Sequence, residues 1–318
     1  MRKNIPITTD QTVLKQLLGE FCQLVTLEKF DELTHSEYSR NTLLAMTKDW
    51  NLFVEFCQTR NVRPLPSSIA AIRQFIEKEA RTRKYSTIRR YLVTIGVVHR
   101  LLSLPDPTNN ALLRNSVTKL RLAKKGDAKQ AAEFTASHLN ILNEKLSSSP
   151  SAKDVRDLAI YYVMFECALK RRELKSLSRT QLELMDNKYL VVLNEHKYAL
   201  SLEGTVAVAK WINMSQNDSQ YVFRGIDRHG NIGKNQLDDS SIYRIVRHAG
   251  DLIGGDLSFS GQSTRVGAAR ELAKQGVRVK DIQSFGRWQS IAMPYQYLGN
   301  VESSESEMVK FKSIKNWD

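Results

Sequence analysis

Ten residues near the middle of the chain, Lys124 to Glu133, have little apolar content and no sustained period, and this break limits every fold open to the sequence. A segment of that composition buries almost nothing, so it reads as a linker with a separate core on either side. The chain has 318 residues, enough for two ordinary domains, and at 42% hydrophobic and 25% charged it is composed like a soluble globular protein. No apolar run reaches the eighteen residues of a membrane span. The segment Met1 to Asp10 has basic residues with no apolar stretch behind them, so no secretory signal is expected and a cytoplasmic location is. Cys22, Cys57 and Cys167 lie far apart without a Cys-x-x-Cys pair, which argues against a disulfide framework or a zinc site. They read as buried apolar fillers in a reducing compartment.

Upstream of the break, apolar residues recur every three or four positions. Leu43, Met46, Trp50, Phe53, Val54 and Cys57 predict a helix from Ser39 to Cys57 with one buried face. Asn61 to Pro66 ends it, and Ser67-Ser68 offers an N-cap to a second helix burying Ile69, Ile72, Phe75 and Ile76. Ser86 is expected to cap a third, with Ile88, Leu92, Ile95 and Val98 inward and Arg83, Lys84, Arg89 and Arg90 at its entrance. Leu104-Pro-Asp-Pro-Thr108 stops that helix, because proline lacks an amide donor and restrains its predecessor. A fourth helix runs from about Ala111 to Ala123, which completes a compact helical bundle.

Downstream, Thr135 and Ser137 can cap a helix, and Asp154 to Leu169 forms a strongly apolar one. The period then changes: Tyr189 to Leu193 and Tyr198 to Leu202 read as strands of a hairpin around Asn194-Glu195-His196-Lys197. Helical signals resume over Thr205 to Met214, Ser240 to Ile253, Ser263 to Gln275 with Gly276 as its stop, Val279 to Phe285, and around Tyr297. From Glu302 to Asp318, charges of both signs alternate with Met308, Val309, Phe311, Ile314 and Trp317, as in a short amphipathic helix that needs a groove.

The net charge of +13 is concentrated in one region. Between Arg60 and Lys129, sixteen Lys and Arg stand against four Asp and Glu, a local excess of twelve. Such a field favours a polyanion by releasing its condensed counterions, and double-stranded DNA is the usual partner. Arg83, Lys84, Arg89, Arg90, Arg121, Lys124, Lys125 and Lys129 are the candidate contacts. A solvated helix surface is the plainer explanation of the same charges.

Chemistry is most legible near the end of the chain. Ser260-Gly-Gln-Ser-Thr-Arg265-Val-Gly-Ala-Ala-Arg270 is followed by Gly286-Arg-Trp288 and then by Tyr297. An arginine opening a helix, an indole and a phenol can together grip a phosphodiester and attack it. No P-loop, His-x-x-x-His or dense carboxylate cluster accompanies them, so side chains are expected to do the chemistry without metal or cofactor. Taken singly, Arg265 would be a surface residue, Trp288 a packing aromatic and Tyr297 a packing residue with a wet hydroxyl.

The order and spacing of these motifs resemble the tyrosine recombinases of the phage integrase family, in its Cre-like branch. Weaker marks lie upstream: Ser39-x-x-Thr42, Trp50-x-x-Phe53, Ser86-Thr-Ile88, Leu104-Pro-Asp-Pro and Ala128-Lys-Gln-Ala131. The resemblance implies a mainly α fold of two domains that clamp DNA. An extension at 1–34 would precede a core-binding, SAM-like bundle of four or five helices at 35–124. A linker at 125–133 would lead to a mostly helical catalytic domain with a small antiparallel β-sheet at 134–318, whose helix at 302–318 docks in trans. Arg265 would clamp the scissile phosphate, Trp288 would donate its indole N–H, and Tyr297 would attack, nine residues past the tryptophan, in preference to Tyr295. Lys197 resembles the family's hairpin lysine, the general acid to the leaving 5′ hydroxyl. The implied partner is double-stranded DNA carrying inverted repeats, with a homotetramer on two sites and a monomer or weak oligomer when free.

Two positions depart from the family pattern. With Glu173 and Leu174 held in register, Lys170 replaces the first catalytic arginine, and Arg171 is offset by about 100° on a helix. Lysine keeps the charge but loses the planar fork; losing a donor to an oxyanion typically costs about 2.7–4 kcal/mol, and a retained ammonium should cost less. Gln262 replaces a histidine three residues before the arginine, and it cannot carry a proton, a service worth roughly 10²–10⁴-fold. The expected activity is site-specific DNA recombination through a 3′-phosphotyrosine. A weak or inactive homologue that only binds DNA, and a relaxing enzyme of topoisomerase type, are the alternatives.

Overall fold

A computed structural model describes residues 5–127, 131–215 and 218–314. The chain divides into two compact units, Met1–Lys129 and Gln130–Asp318.

The first unit is helical: α1 (Gln11–Glu20), α2 (Leu27–Leu33), α3 (Arg40–Thr59), α4 (Ile69–Ala80), α5 (Tyr85–Leu101) and α6 (Ala111–Ala123). Trp50 of α3 is buried within 6.5 Å of the rings of Phe21, Phe53 and His99, and its indole N–H donates to the Phe21 carbonyl at 3.2 Å. Residues 5–33, expected as an extension, supply α1, α2 and the buried Ile5, Leu17, Phe21, Val25, Phe30 and Leu33 to this same core. Ser68 caps α4, accepting from the Ala71 N–H at 3.1 Å. Ser86 does not cap α5. The cap position is Lys84, and Asp127, 42 residues on, accepts the Tyr85 N–H at 2.6 Å. A carboxylate from the end of the unit thus meets the positive end of the helix dipole, a partner no local motif reveals.

The second unit contains α7 (Ala136–Leu146), α8 (Ala152–Glu166), α9 (Arg171–Ser176), β1 (Leu182–Met185), β2 (Lys188–Leu193), β3 (His196–Ala199) and α10 (Leu202–Met214). There follow β4 (Arg224–Ile226), β5 (Ile232–Gln236), α11 (Asp239–Ile253), α12 (Ser263–Lys274), α13 (Val279–Phe285), α14 (Ala292–Tyr297) and α15 (Val301–Ile314). Helix α8 is buried continuously from Val155 to Phe165 and packs against α7, α10 and α12. The strands form an antiparallel sheet in the order β1-β2-β3 and a separate β4-β5 hairpin. The second hairpin strand comes earlier than its apolar pattern predicts, at His196–Ala199, with Val192 opposite Lys197. Ser201 leaves the sheet to cap α10, accepting the Gly204 N–H at 3.0 Å, so Leu202 is helical. Thr135 caps α7 as expected, in a reciprocal box with His138.

Candidate active site

Helix α12 begins where two backbones cross. Phe134 donates its N–H to the Ser263 carbonyl at 3.0 Å, and its own carbonyl lies so close to Gly267 that a Cβ there would stand 1.7 Å away. Glycine in the Arg-Val-Gly-Ala-Ala run is therefore a packing requirement. With α12 seated in this way, Arg265 is 3% exposed. It donates Nη1 to the Ala168 carbonyl and Nη2 to the Gly286 carbonyl, the latter at 2.8 Å. Two of the five guanidinium N–H groups are thus spent, and the described contacts give the other three no protein acceptor. Burial draws this guanidinium down to about 10, still cationic at neutral pH.

The Arg265 guanidinium carbon stands 4.6 Å from the Trp288 ring centroid, and the Tyr297 ring meets the same indole edge-on at 5.6 Å and 67°. Gly286 makes room for that indole, since a Cβ would lie 1.9 Å from it. Trp288 so forms a wall with the cation on its face and the phenol at its edge. The Tyr297 hydroxyl donates to Gln262 Oε1 at 3.3 Å. Burial raises its pKa, opposed by the Arg265 charge and by a hydrogen bond with Trp288. Its backbone carbonyl accepts from Arg270 Nε at 2.8 Å, and Arg270 also pairs with Glu133, which braces α14 against the start of the unit. No motif in the sequence assigns Arg270 this role.

Lys170 is the N-cap of α9, not an interior helical residue. Its ammonium lies 3.2 Å from Glu173 Oε1 and donates to the Arg287 carbonyl at 3.3 Å. Burial lowers its pKa, as do the Arg265 and Arg287 charges, while Glu173 opposes them. Arg171 is exposed and lies along Gly261, where a Cβ would come within 2.7 Å of its Cγ. Arg287, to which no sequence motif assigns a role, binds Glu173 with Nε at 3.3 Å and Nη2 at 2.8 Å. Burial alone would push the Glu173 carboxyl up. The Arg287 hydrogen bond, the Lys170 backbone N–H and the two cations outweigh it and hold the group down at about 2.

Lys197 stands apart from this cluster, 56% exposed and paired with Glu183 at 2.8 Å across the sheet. The described contacts place Arg265, Trp288, Tyr297, Gln262, Lys170 and Glu173 together and leave Lys197 outside. Among the described residues, no three His, Cys, Asp or Glu side chains could hold a metal ion, and no helix is long and apolar enough to cross a membrane.

On the first unit, Arg83, Lys84, Arg89, Arg121 and Lys125 are exposed and Lys124 is partly so. Arg83 lies 3.7 Å from Glu79. Arg90 is held by Asp49, with Nε and Nη2 at 2.7 and 2.8 Å from the two oxygens, so part of its fork is already occupied. Lys129 lies outside the described residues, as do residues 315–318 with Trp317.

Residues 133–303 match the model of the phage integrase family. The chain is 26% identical over 308 residues to recombinase cre of Escherichia phage P1, covering 88% of this chain and 89% of cre. It is also 26% identical over 282 residues to an integrase/recombinase xerD homologue of Selenomonas ruminantium, covering 82% of each. The Tn1549 transposon integrase, solved with transposon right end DNA, aligns with a TM-score of 0.62 at 11% identity, over 91% of this chain and 99% of that one. The XerH site-specific recombinase, solved bound to difH, aligns with a TM-score of 0.62 at 13% identity, over 93% and 87%. These structures share the two-domain, mainly helical fold. With a family match spanning more than half its length, this chain belongs to the phage integrase family, the tyrosine recombinases that its terminal motifs resemble.

Proposed function

We propose that this chain is a site-specific DNA recombinase that cuts and rejoins double-stranded DNA through Tyr297. The observation that carries the reading is the Arg265–Trp288–Tyr297 stack, in which a buried cation with free N–H groups and a phenol hydroxyl share one indole. The Tyr297 oxygen attacks the phosphorus and forms a 3′-phosphotyrosine. The P–O5′ bond breaks, and the departing 5′ oxygen takes a proton. Arg265 and the Lys170 ammonium carry the charge on the non-bridging oxygens. Gln262 accepts the hydrogen of the phenol and passes no proton onward, so the phenolic proton leaves to solvent.

Lys197 serves as acid to the 5′ oxygen once DNA draws it from Glu183. The ester keeps the energy of the broken bond, so religation needs neither nucleotide nor metal. The first unit, with its local excess of positive charge, grips the DNA; four copies act on two sites bearing inverted repeats, and α15 docks on a neighbour.

The test is a nicked duplex carrying the native site, incubated with the full chain in the presence of EDTA and run on a denaturing gel. The parent should carry DNA covalently, with the adduct mapping to Tyr297, and Tyr297→Phe should carry none. DNA that shifts without an adduct would mean a binding protein. Relaxation of plasmids lacking the site would mean a topoisomerase.

A further inference from the structure

Arg287 occupies an unusual position for a charged residue. Its φ is +53°, the left-handed region that residues with a Cβ seldom enter, and it lies between Gly286 and Trp288. Its side chain is 9% exposed. Besides both oxygens of Glu173, its guanidinium reaches the carbonyls of Cys167 at 3.2 Å, Ala168 at 3.2 Å and Phe285 at 3.1 Å, and the Tyr198 hydroxyl. All three nitrogens are engaged with protein groups, so the side chain is in no position to be the phosphate clamp. The Ala168 carbonyl it holds is the one that anchors Arg265. Its own carbonyl, aimed by the left-handed backbone, accepts from Lys170 at 3.3 Å.

We propose that Arg287 is a positioning residue that supplies the bracing an arginine at position 170 would give, so that Lys170 need only present its charge. The side chain fixes Glu173 and the corner between α8 and α9, and the backbone seats the Lys170 ammonium. This rests on the reading of Tyr297 and Arg265 as a phosphodiester site, and it assigns Arg287 to the support of that site. A guanidinium placed at 170 would compete with Arg287 for Glu173, so the two positions should show sign epistasis.

The experiment is a double-mutant cycle in the full chain, read by adduct formation on the nicked duplex and by thermal melting. Arg287→Gly relieves the backbone and removes the fork. It should slow strand cleavage by about 10–100-fold, by analogy with the loss of an outer hydrogen-bond partner behind a metal ligand. It should also lower the melting midpoint on the order of 10 °C. Lys170→Arg alone should cleave no faster than the parent. Together, Arg287→Gly and Lys170→Arg should recover cleavage to within about threefold of the parent and restore most of the melting midpoint, since residue 170 now carries the fork. If Arg287→Gly does not fold, Arg287→Lys, which keeps the charge without the fork, replaces it in the cycle with the same expected recovery.

A Lys170→Arg protein that cleaves faster with Arg287 intact, or a double variant that recovers neither readout, overturns the proposal. A parent that forms no adduct would sink the recombinase reading alone, because the melting cycle still decides whether Arg287 braces Glu173.

Discussion

Glu173 makes the candidate site sensitive to acid in a direction that can be worked out. Its carboxyl is held at about 2, against an ordinary 4.5, by Arg287 and the Lys170 backbone N–H acting against burial. A group with a depressed folded pKa contributes stability that is fully present above 4.5 and is lost as pH falls toward 2. The difference corresponds to about 3 kcal/mol. Urea titrations at pH 5 and pH 2.5, followed by tryptophan fluorescence, cover most of that range and should show the parent losing about 2 kcal/mol more stability than Glu173→Gln over the interval. Equal losses in the two proteins would mean that the carboxyl is not held as described. Only part of this site is legible in the sequence. Arg265, Trp288 and Tyr297 announce themselves by order and spacing, and Glu173 by its place after Lys170. Arg287 does not, because its partners Glu173, Cys167 and Ala168 lie 114–120 residues upstream and no local pattern joins them.

At the scale of elements, the seam between residue 134 and α12 governs whether the site assembles at all. A methyl group at position 267 would stand 1.7 Å from the Phe134 carbonyl oxygen and 2.7 Å from its carbon, atoms of a backbone that has no rotamer to change. Gly267→Ala should therefore destabilise the second unit by at least about 3 kcal/mol, the upper range for overpacking. Chemical denaturation would register this as a lower midpoint, and a midpoint unchanged from the parent would show that the crossing is looser than drawn. The long helices were readable because an apolar face at three- and four-residue spacing has few other uses, as in α3, α4 and α11. The β4-β5 hairpin was not. Its strands run Arg-Gly-Ile, with a buried arginine, and Ile-Gly-Lys-Asn-Gln, largely exposed, and neither has an apolar alternation to mark it. In the first hairpin the apolar run outlasts the strand because Leu200, still bonded to the Tyr189 carbonyl, leads into the Ser201 cap and Leu202 opens α10.

Over the whole molecule, the concentration of positive charge between Arg60 and Lys129 sets how binding should respond to salt. Each lysine or arginine that neutralises a phosphate releases condensed counterions, so the logarithm of the binding constant falls with the logarithm of salt by about 0.9 per contact. Arg83, Lys84 and Arg89 are exposed at the entrance of α5, and Arg90 is tied to an Asp49 side chain that is 1% exposed. These four cations, two adjacent pairs in the sequence, should thus behave differently. Replacing Arg83, Lys84 and Arg89 together with alanine should flatten the salt slope by about 2.7 and leave the melting curve alone. Arg90→Ala should change the slope by less than one contact and cost about 1–3 kcal/mol of stability, because it leaves a buried carboxylate without its partner. Fluorescence anisotropy with labelled duplex from 50 to 300 mM salt, read beside thermal melts of the same proteins, separates the two effects. A triple variant with an unaltered slope would place the DNA on another face of the molecule, and the excess charge would then serve as no more than a solvated surface.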